Sequence, residues 1–136
     1  FCDADNLLAP SAVESALAAL PAGHFGGFGR ASSRRSNRAG QALGNNQLRG
    51  FQVVPAAAFR AAGGYDELFE GYSEADVELG ARLKLAGLKP VELDPAMIER
   101  VLDHDDGARL RHHQASIGQS YGAGLIYRKL KIALLR

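Results

Sequence analysis

The sequence predicts an α/β domain, and three observations carry the prediction. Short apolar runs with strand character, Phe51-Gln52-Val53-Val54 and Val91-Glu92-Leu93-Asp94, alternate with helix-spaced segments. The apolar pair Phe1-Cys2 runs directly into Asp3, Asp5 and Asn6, as a strand does at its carboxyl end, where open α/β sheets bind ligands. A strongly apolar helical stretch opens with Glu74 and Asp76 and closes at Gly87. The 136 residues suffice for one domain.

Each element follows from local chemistry. Phe1 and Cys2 read as the last residues of a buried strand, with Cys2 a small core residue. Ser11-Ala12-Val13-Glu14 has capping-box spacing, so a helix runs from there to Leu20, where Pro21 ends it. Residues 22–50 carry glycines at 23, 26, 27, 29, 40 and 44 and the cluster Arg30, Arg34, Arg35 and Arg38, which predicts a long, flexible basic loop. A strand over 51–54 leads through Pro55 into a helix to about Ala62, stopped by Gly63-Gly64. Residues 65–72 form a turn-rich connection.

The next helix takes Ser73 as N-cap and Ser73-x-x-Asp76 as a capping box. Leu79, Leu83 and Ala86 share one face and Val77, Ala81, Leu85 and Leu88 the other. The polar stripe is limited to Glu78, Arg82 and Lys89, so the helix is expected to be mostly buried. Val91–Asp94 and Met97–Leu102 read as strands. A helix from about 115 to 136 ends in the basic, amphipathic run Tyr127–Arg136, suited to an anionic membrane surface. The organisation expected is therefore an α/β portion over 1–110, interrupted by the basic loop, and an amphipathic helical tail over 111–136.

Composition narrows the function. With 46% hydrophobic and 23% charged residues the chain is not intrinsically disordered. No apolar run approaches the length of about 18 residues needed to span a bilayer. One cysteine makes no internal disulfide. The net charge is +1, from 16 basic and 15 acidic residues, which argues against nucleic acid as a partner. The chain opens without an initiator Met or a signal-peptide pattern, and reads as the C-terminal part of a longer protein.

The chemistry-bearing residues each have a plain alternative. Asp3 and Asp5 can share a hard divalent cation and through it a diphosphate, or can simply favour a turn. Asp76 can act as a general base toward an acceptor hydroxyl, with the helix dipole favouring its charged form, or can serve as a cap. His104, among Asp103, Asp105 and Asp106, is a potential ligand or a surface residue. Arg34 and Arg35 can clamp phosphate or sit solvated in their loop.

Together these segments resemble family 2-type glycosyltransferases of the GT-A fold, particularly members with a galactosyltransferase-like C-terminal half. The resemblance rests on FCDADN at 1–6, GFQVV at 50–54, AGGYDE at 62–67 and FEGYSEADVELGARL at 69–83, closing with Ala86-Gly87. It implies the C-terminal part of a Rossmann-like domain, a mixed sheet with flanking helices. It implies transfer of a sugar from a nucleotide-diphosphate donor, most simply a UDP-sugar, to a glycan or polysaccharide acceptor with inversion. By the resemblance Asp3, Asp5 and His104 hold Mn²⁺ or Mg²⁺, and Asp76 is the catalytic base. Gly64, Tyr65, Tyr72 and Glu74 line the donor and acceptor pocket. The chain departs from the family pattern at Ala75, where an acid adjoins the base, and the nucleotide-binding half would precede Phe1. The chain alone is therefore expected to be inactive. The location implied is cytoplasmic, peripheral at the inner face of the membrane. The rival expectation is a non-enzymatic module that binds nucleic acid or an anionic membrane through the arginine loop and basic tail.

Overall fold

The structure, a computed structural model, describes residues 1–3, 6–27, 51–69, 74–102 and 117–136. It is mixed α/β, with small sheets and helices. The chain divides into two units. One takes the described residues of Phe1–Ala56 and Gly87–Asp103, the other those of Ala57–Ala86 and His104–Arg136.

The first unit begins with Cys2, which forms an antiparallel bridge to Phe51. Strand β1 (Asn6–Leu8) pairs antiparallel with β4 (Ile98–Val101). The register shifts between Leu7 and Leu8. That irregularity lets Ile98 and Val101, three positions apart, both turn into the core, which strict alternation would forbid. Helix α1 (Ala12–Ala19) buries Ala12 and Ala16 one turn apart. Strand β2 (His24–Gly27) runs parallel to β3 (Lys89–Glu92). A 3₁₀ turn at Pro95–Met97, capped by the Asp94 side chain through Ala96 N–H at 3.0 Å, joins β3 to β4. Segment 51–53 bridges both ways, Val53 to Gly26 and Phe51 to Cys2, so parallel and antiparallel pairings meet around it. The core comprises Ala9, Ala12, Ala16, Phe51, Leu93, Met97, Ile98 and Val101.

The second unit contains α2 (Ala56–Ala61, whose first residue belongs to the other unit), α3 (Ala75–Leu85) and α4 (Ile117–Leu134). Helix α2 ends where expected. Gly63 and Gly64 take φ of 83° and 71°, a left-handed backbone that side chains disfavour. Helices α3 and α4 pack on each other. Gly87, with φ of 89°, follows the α3 cap as its C′ residue.

Four expectations need correction. The first concerns the loop predicted from residue 22, which starts instead with β2, because its glycines answer to packing. A Cβ on Gly26 would stand 3.0 Å from the Leu93 side chain. The remainder of that segment, including Arg34 and Arg35, lies outside the described residues. Second, Phe1 and Cys2 are exposed rather than buried, and the Cys2 thiol turns onto the carbonyls of Asp3 and Asn6 at 3.4 and 3.7 Å. Third, Ser11 makes no side-chain cap. The turn before α1 already satisfies the Ala12 N–H with the Ala9 carbonyl at 2.9 Å. Fourth, the stripe Glu78, Arg82 and Lys89 is not one polar helix face: Lys89 falls in β3 and is exposed, while Glu78 and Arg82 turn inward on α3. Glu78 is fully buried while Leu85 is exposed, because the acid finds its partners inside. The proposed N-cap Ser73 is outside the described residues. Glu74 takes that position, without a side-chain cap bond.

Candidate functional site

The second unit gathers most of the described residues singled out from the sequence. Its organising pair is Glu78 and Arg82, one helical turn apart on α3 and so on one face. Arg82 donates from Nε to Glu78 Oε1 and from Nη2 to Oε2, both at 2.6 Å, a two-point match of guanidinium and carboxylate. The same guanidinium reaches the backbone beyond α2. Nη1 donates to the Ala62 carbonyl and Nη2 to the Gly64 carbonyl at 2.7 Å. Arg82 thus ties the Gly63–Gly64 turn to the helix whose first turn carries Asp76.

The glycine turn is specified twice. Besides the positive φ, a Cβ on Gly64 would lie 3.3 Å from the Phe59 ring. Phe59 in turn meets Tyr65 edge-on, centroids 5.9 Å apart. Asp66 follows. Its Oδ1 accepts from Leu68 N–H at 3.0 Å, closing an Asx-type turn.

Helix α4 supplies the counter-charges. Lys131 Nζ stands 2.6 Å from Asp66 Oδ2 and 2.9 Å from Glu78 Oε1, and Tyr127 OH donates to Asp66 Oδ2 at 2.9 Å. The Tyr127 ring packs edge-on against Phe69 at 5.0 Å. Arg128 Nε lies 2.9 Å from Glu74 Oε2. That contact is an ion pair rather than an aligned hydrogen bond, since the Nε group lacks hydrogen-bond geometry to any acceptor among the described residues. Glu78 therefore sits between two cations, and the desolvation of a buried carboxylate is offset by contacts on both oxygens.

These contacts shift protonation. The hydrogen bond from Lys131 and the Leu68 N–H hold Asp66 down at about 2, from the ordinary 3.8. For Lys131, burial opposes the charged form, but the hydrogen bonds to Asp66 and Glu78 outweigh it and the amine is raised. The Asp66 hydrogen bond raises Tyr127. Because the Asp66 carboxyl is lowered on folding, its stabilisation is present above about pH 4 and is lost as pH falls from there toward 2. Urea unfolding between pH 6 and pH 2 is expected to show this loss, and Asp66→Asn should flatten it over that window. An unchanged acid limb in Asp66→Asn would assign it to other carboxylates.

The candidate residues are placed as follows. Asp76 is half-buried in the first turn of α3. Glu74 precedes it, its side chain 5% exposed and paired with Arg128, so contact with an acceptor would require that pair to open. Gly64 and Tyr65 are partly buried in the turn that Arg82 holds. Asp3 belongs to the first unit. It is exposed, and its carbonyl accepts from Asn6 N–H at 3.0 Å in a tight turn. Asp5, His104 and Tyr72 lie outside the described residues, as do Arg34 and Arg35. Among the described residues no group of three His, Cys, Asp or Glu side chains is placed to hold a metal.

Sequence reasoning missed several participants. The sequence places Glu78 and Arg82 only in a polar stripe and Tyr127 and Lys131 only in the basic tail, although the Glu78–Arg82 spacing is visible as an i,i+4 pair. Asn6 was placed at a strand mouth without its consequence. It is 9% exposed, and among the described residues neither its Nδ2 nor its Oδ1 has a hydrogen-bond partner. A buried unsatisfied amide costs about 1–3 kcal/mol. Three residues after Asp3, it is an oxygen donor suited to a hard cation or its water shell.

No family model matches the chain, and no curated protein or solved structure matches it. No helix among the described residues is long and apolar enough to cross a membrane.

Proposed function

We propose that this chain is the acceptor-side portion of a metal-dependent glycosyltransferase of the GT-A fold. It would transfer a sugar from a UDP-type nucleotide donor to a glycan or polysaccharide acceptor with inversion. The observation that carries the reading is the Arg82 bond to the Gly64 carbonyl at 2.7 Å. It makes one body of the GGYDE segment and the acidic helix start, the two stretches on which the resemblance chiefly rests.

In this reading Asp76 accepts the proton of the acceptor hydroxyl. Gly64 offers backbone without a side chain beside the donor sugar, and Tyr65 and Tyr72 supply apolar faces and hydroxyls for sugar contacts. Asp3, Asp5 and His104 would hold Mn²⁺ or Mg²⁺. The exposed Asp3 carboxylate and the unpartnered Asn6 amide oxygen fit that hard-cation chemistry. Such a cation supplies charge neutralisation for a departing diphosphate.

The test is a calorimetric titration of UDP into the full-length polypeptide with and without Mn²⁺. Metal-dependent binding is expected, lost in Asp3→Asn. Asn6→Ala should weaken it while raising stability by about 1 kcal/mol, since the orphaned amide is removed. Absence of UDP binding under either condition would overturn the donor assignment.

A further inference from the structure

Helix α4 has its polar face turned inward and its apolar face turned outward. Gly124 is buried, and Tyr127, Arg128 and Lys131 on the same side are committed to Asp66, Glu74 and Glu78. The neighbouring, exposed side presents Ala123, Ile126, Leu130 and Leu134, spaced three or four residues apart. Ile126 is 62% exposed, Leu130 61% and Leu134 87%. An amphipathic helix in water normally does the reverse, so this stripe calls for an apolar neighbour.

We propose that the outward face of α4 seats on an anionic lipid surface. Charge selects that occupant. Residues 117–136 contain no acid; Lys129 is exposed one turn from Ile126, and Arg136 is exposed just past the helix end. A second copy of the helix would bring like charges together with no acid of its own to pair them. Ile126 to Leu134 spans about 12 Å along the axis. A seam that short falls well under the roughly 1,200 Å² of a stable dimer. The geometry is that of a helix lying in the membrane plane, apolar side chains in the acyl boundary and cations at the headgroups.

The seat would have a second consequence. The inner face of α4 holds Asp66, Glu78 and Glu74, so the glycine turn and the start of α3 would be positioned relative to the bilayer. The lipid contact itself is independent of the sugar-transfer reading.

Vesicle flotation tests it, with phosphatidylcholine alone and with phosphatidylcholine mixed with phosphatidylglycerol. Flotation with the anionic vesicles is expected, weakening as salt rises. Ile126→Gln with Leu130→Gln should weaken it about 100-fold. Lys129→Gln with Arg136→Gln should weaken it about 20-fold on anionic vesicles only. All four side chains are exposed, so circular dichroism should be unchanged in both variants. No flotation of the parent chain would overturn the proposal, as would undiminished flotation of the apolar variant. A concentration-dependent dimer in light scattering, abolished in the apolar variant, would name a second copy as the occupant and overturn it equally.

Discussion

Arg82→Met is expected to destabilise the chain by about 3–5 kcal/mol, the range for breaking a buried ion pair from one side. The substitution keeps the stem and removes the fork. Glu78, whose side chain is fully buried, would retain Lys131 at 2.9 Å but lose both bonds at 2.6 Å. The Ala62 and Gly64 carbonyls would lose their guanidinium donor as well. Arg82→Lys should recover little, because a point charge on a flexible stem cannot reach two carboxylate oxygens and two carbonyls together. Glu78→Gln combined with Arg82→Met should be milder than Arg82→Met alone, since the uncompensated charge is gone. The double variant would still leave the two carbonyls, about 1–3 kcal/mol each where buried. Urea unfolding with a double-mutant cycle measures all of this. A loss below about 1 kcal/mol for Arg82→Met would mean that the pair behaves as an exposed surface bridge.

That network explains what the sequence could and could not reveal. Helix α3 was legible because its punctuation is local: acids in the first turn, an apolar repeat, and Gly87 at the position that needs positive φ. Its orientation was not. Periodicity reports which residues share a face, but not whether a polar stripe meets water or a distant cation. The cation is Lys131, more than fifty residues downstream of Glu78. Helix α4 repeats the lesson in reverse. Its amphipathic pattern was visible, while the inward assignment of Tyr127, Arg128 and Lys131 depends on acids from the 66–78 segment. Strand β2 was hidden because Gly26 and Gly27 lower strand propensity, and only the Leu93 side chain across the sheet shows why a glycine belongs there.

The candidate site was legible to a similar depth. Asp76 could be placed from sequence because a helix start is a local event. The turn at Gly63–Gly64 could be placed because paired glycines announce it. The orphaned Asn6 amide could not, since burial of a polar side chain beside a turn is a tertiary fact. Cys2 fails for the same reason. Its neighbours along the chain are strand-like, yet its thiol is turned onto turn carbonyls.

Asp76 and Glu74 lie two residues apart, and their substitutions should separate chemistry from support. If the proposed reading holds, Asp76→Asn preserves shape and removes the proton acceptor, so sugar transfer by the full-length polypeptide should fall about 10²- to 10⁴-fold, the usual contribution of a general base. UDP binding should stay near that of the parent, because the substitution keeps the side-chain shape and lies outside the Glu78–Arg82 pair. Glu74→Gln should behave oppositely. It strips the charge from a side chain that is 5% exposed and leaves Arg128 without its partner at 2.9 Å. Stability should drop by about 1–3 kcal/mol. Transfer should fall only modestly, in KM for the acceptor before kcat. The two variants together exclude the simplest alternative, in which both acids merely cap α3. A cap would make Asp76→Asn cost stability and leave the ratio of transfer to folded protein unchanged. If transfer per folded molecule survives in Asp76→Asn and is lost in Glu74→Gln, the base is Glu74 and its pairing with Arg128 is the resting state of the site.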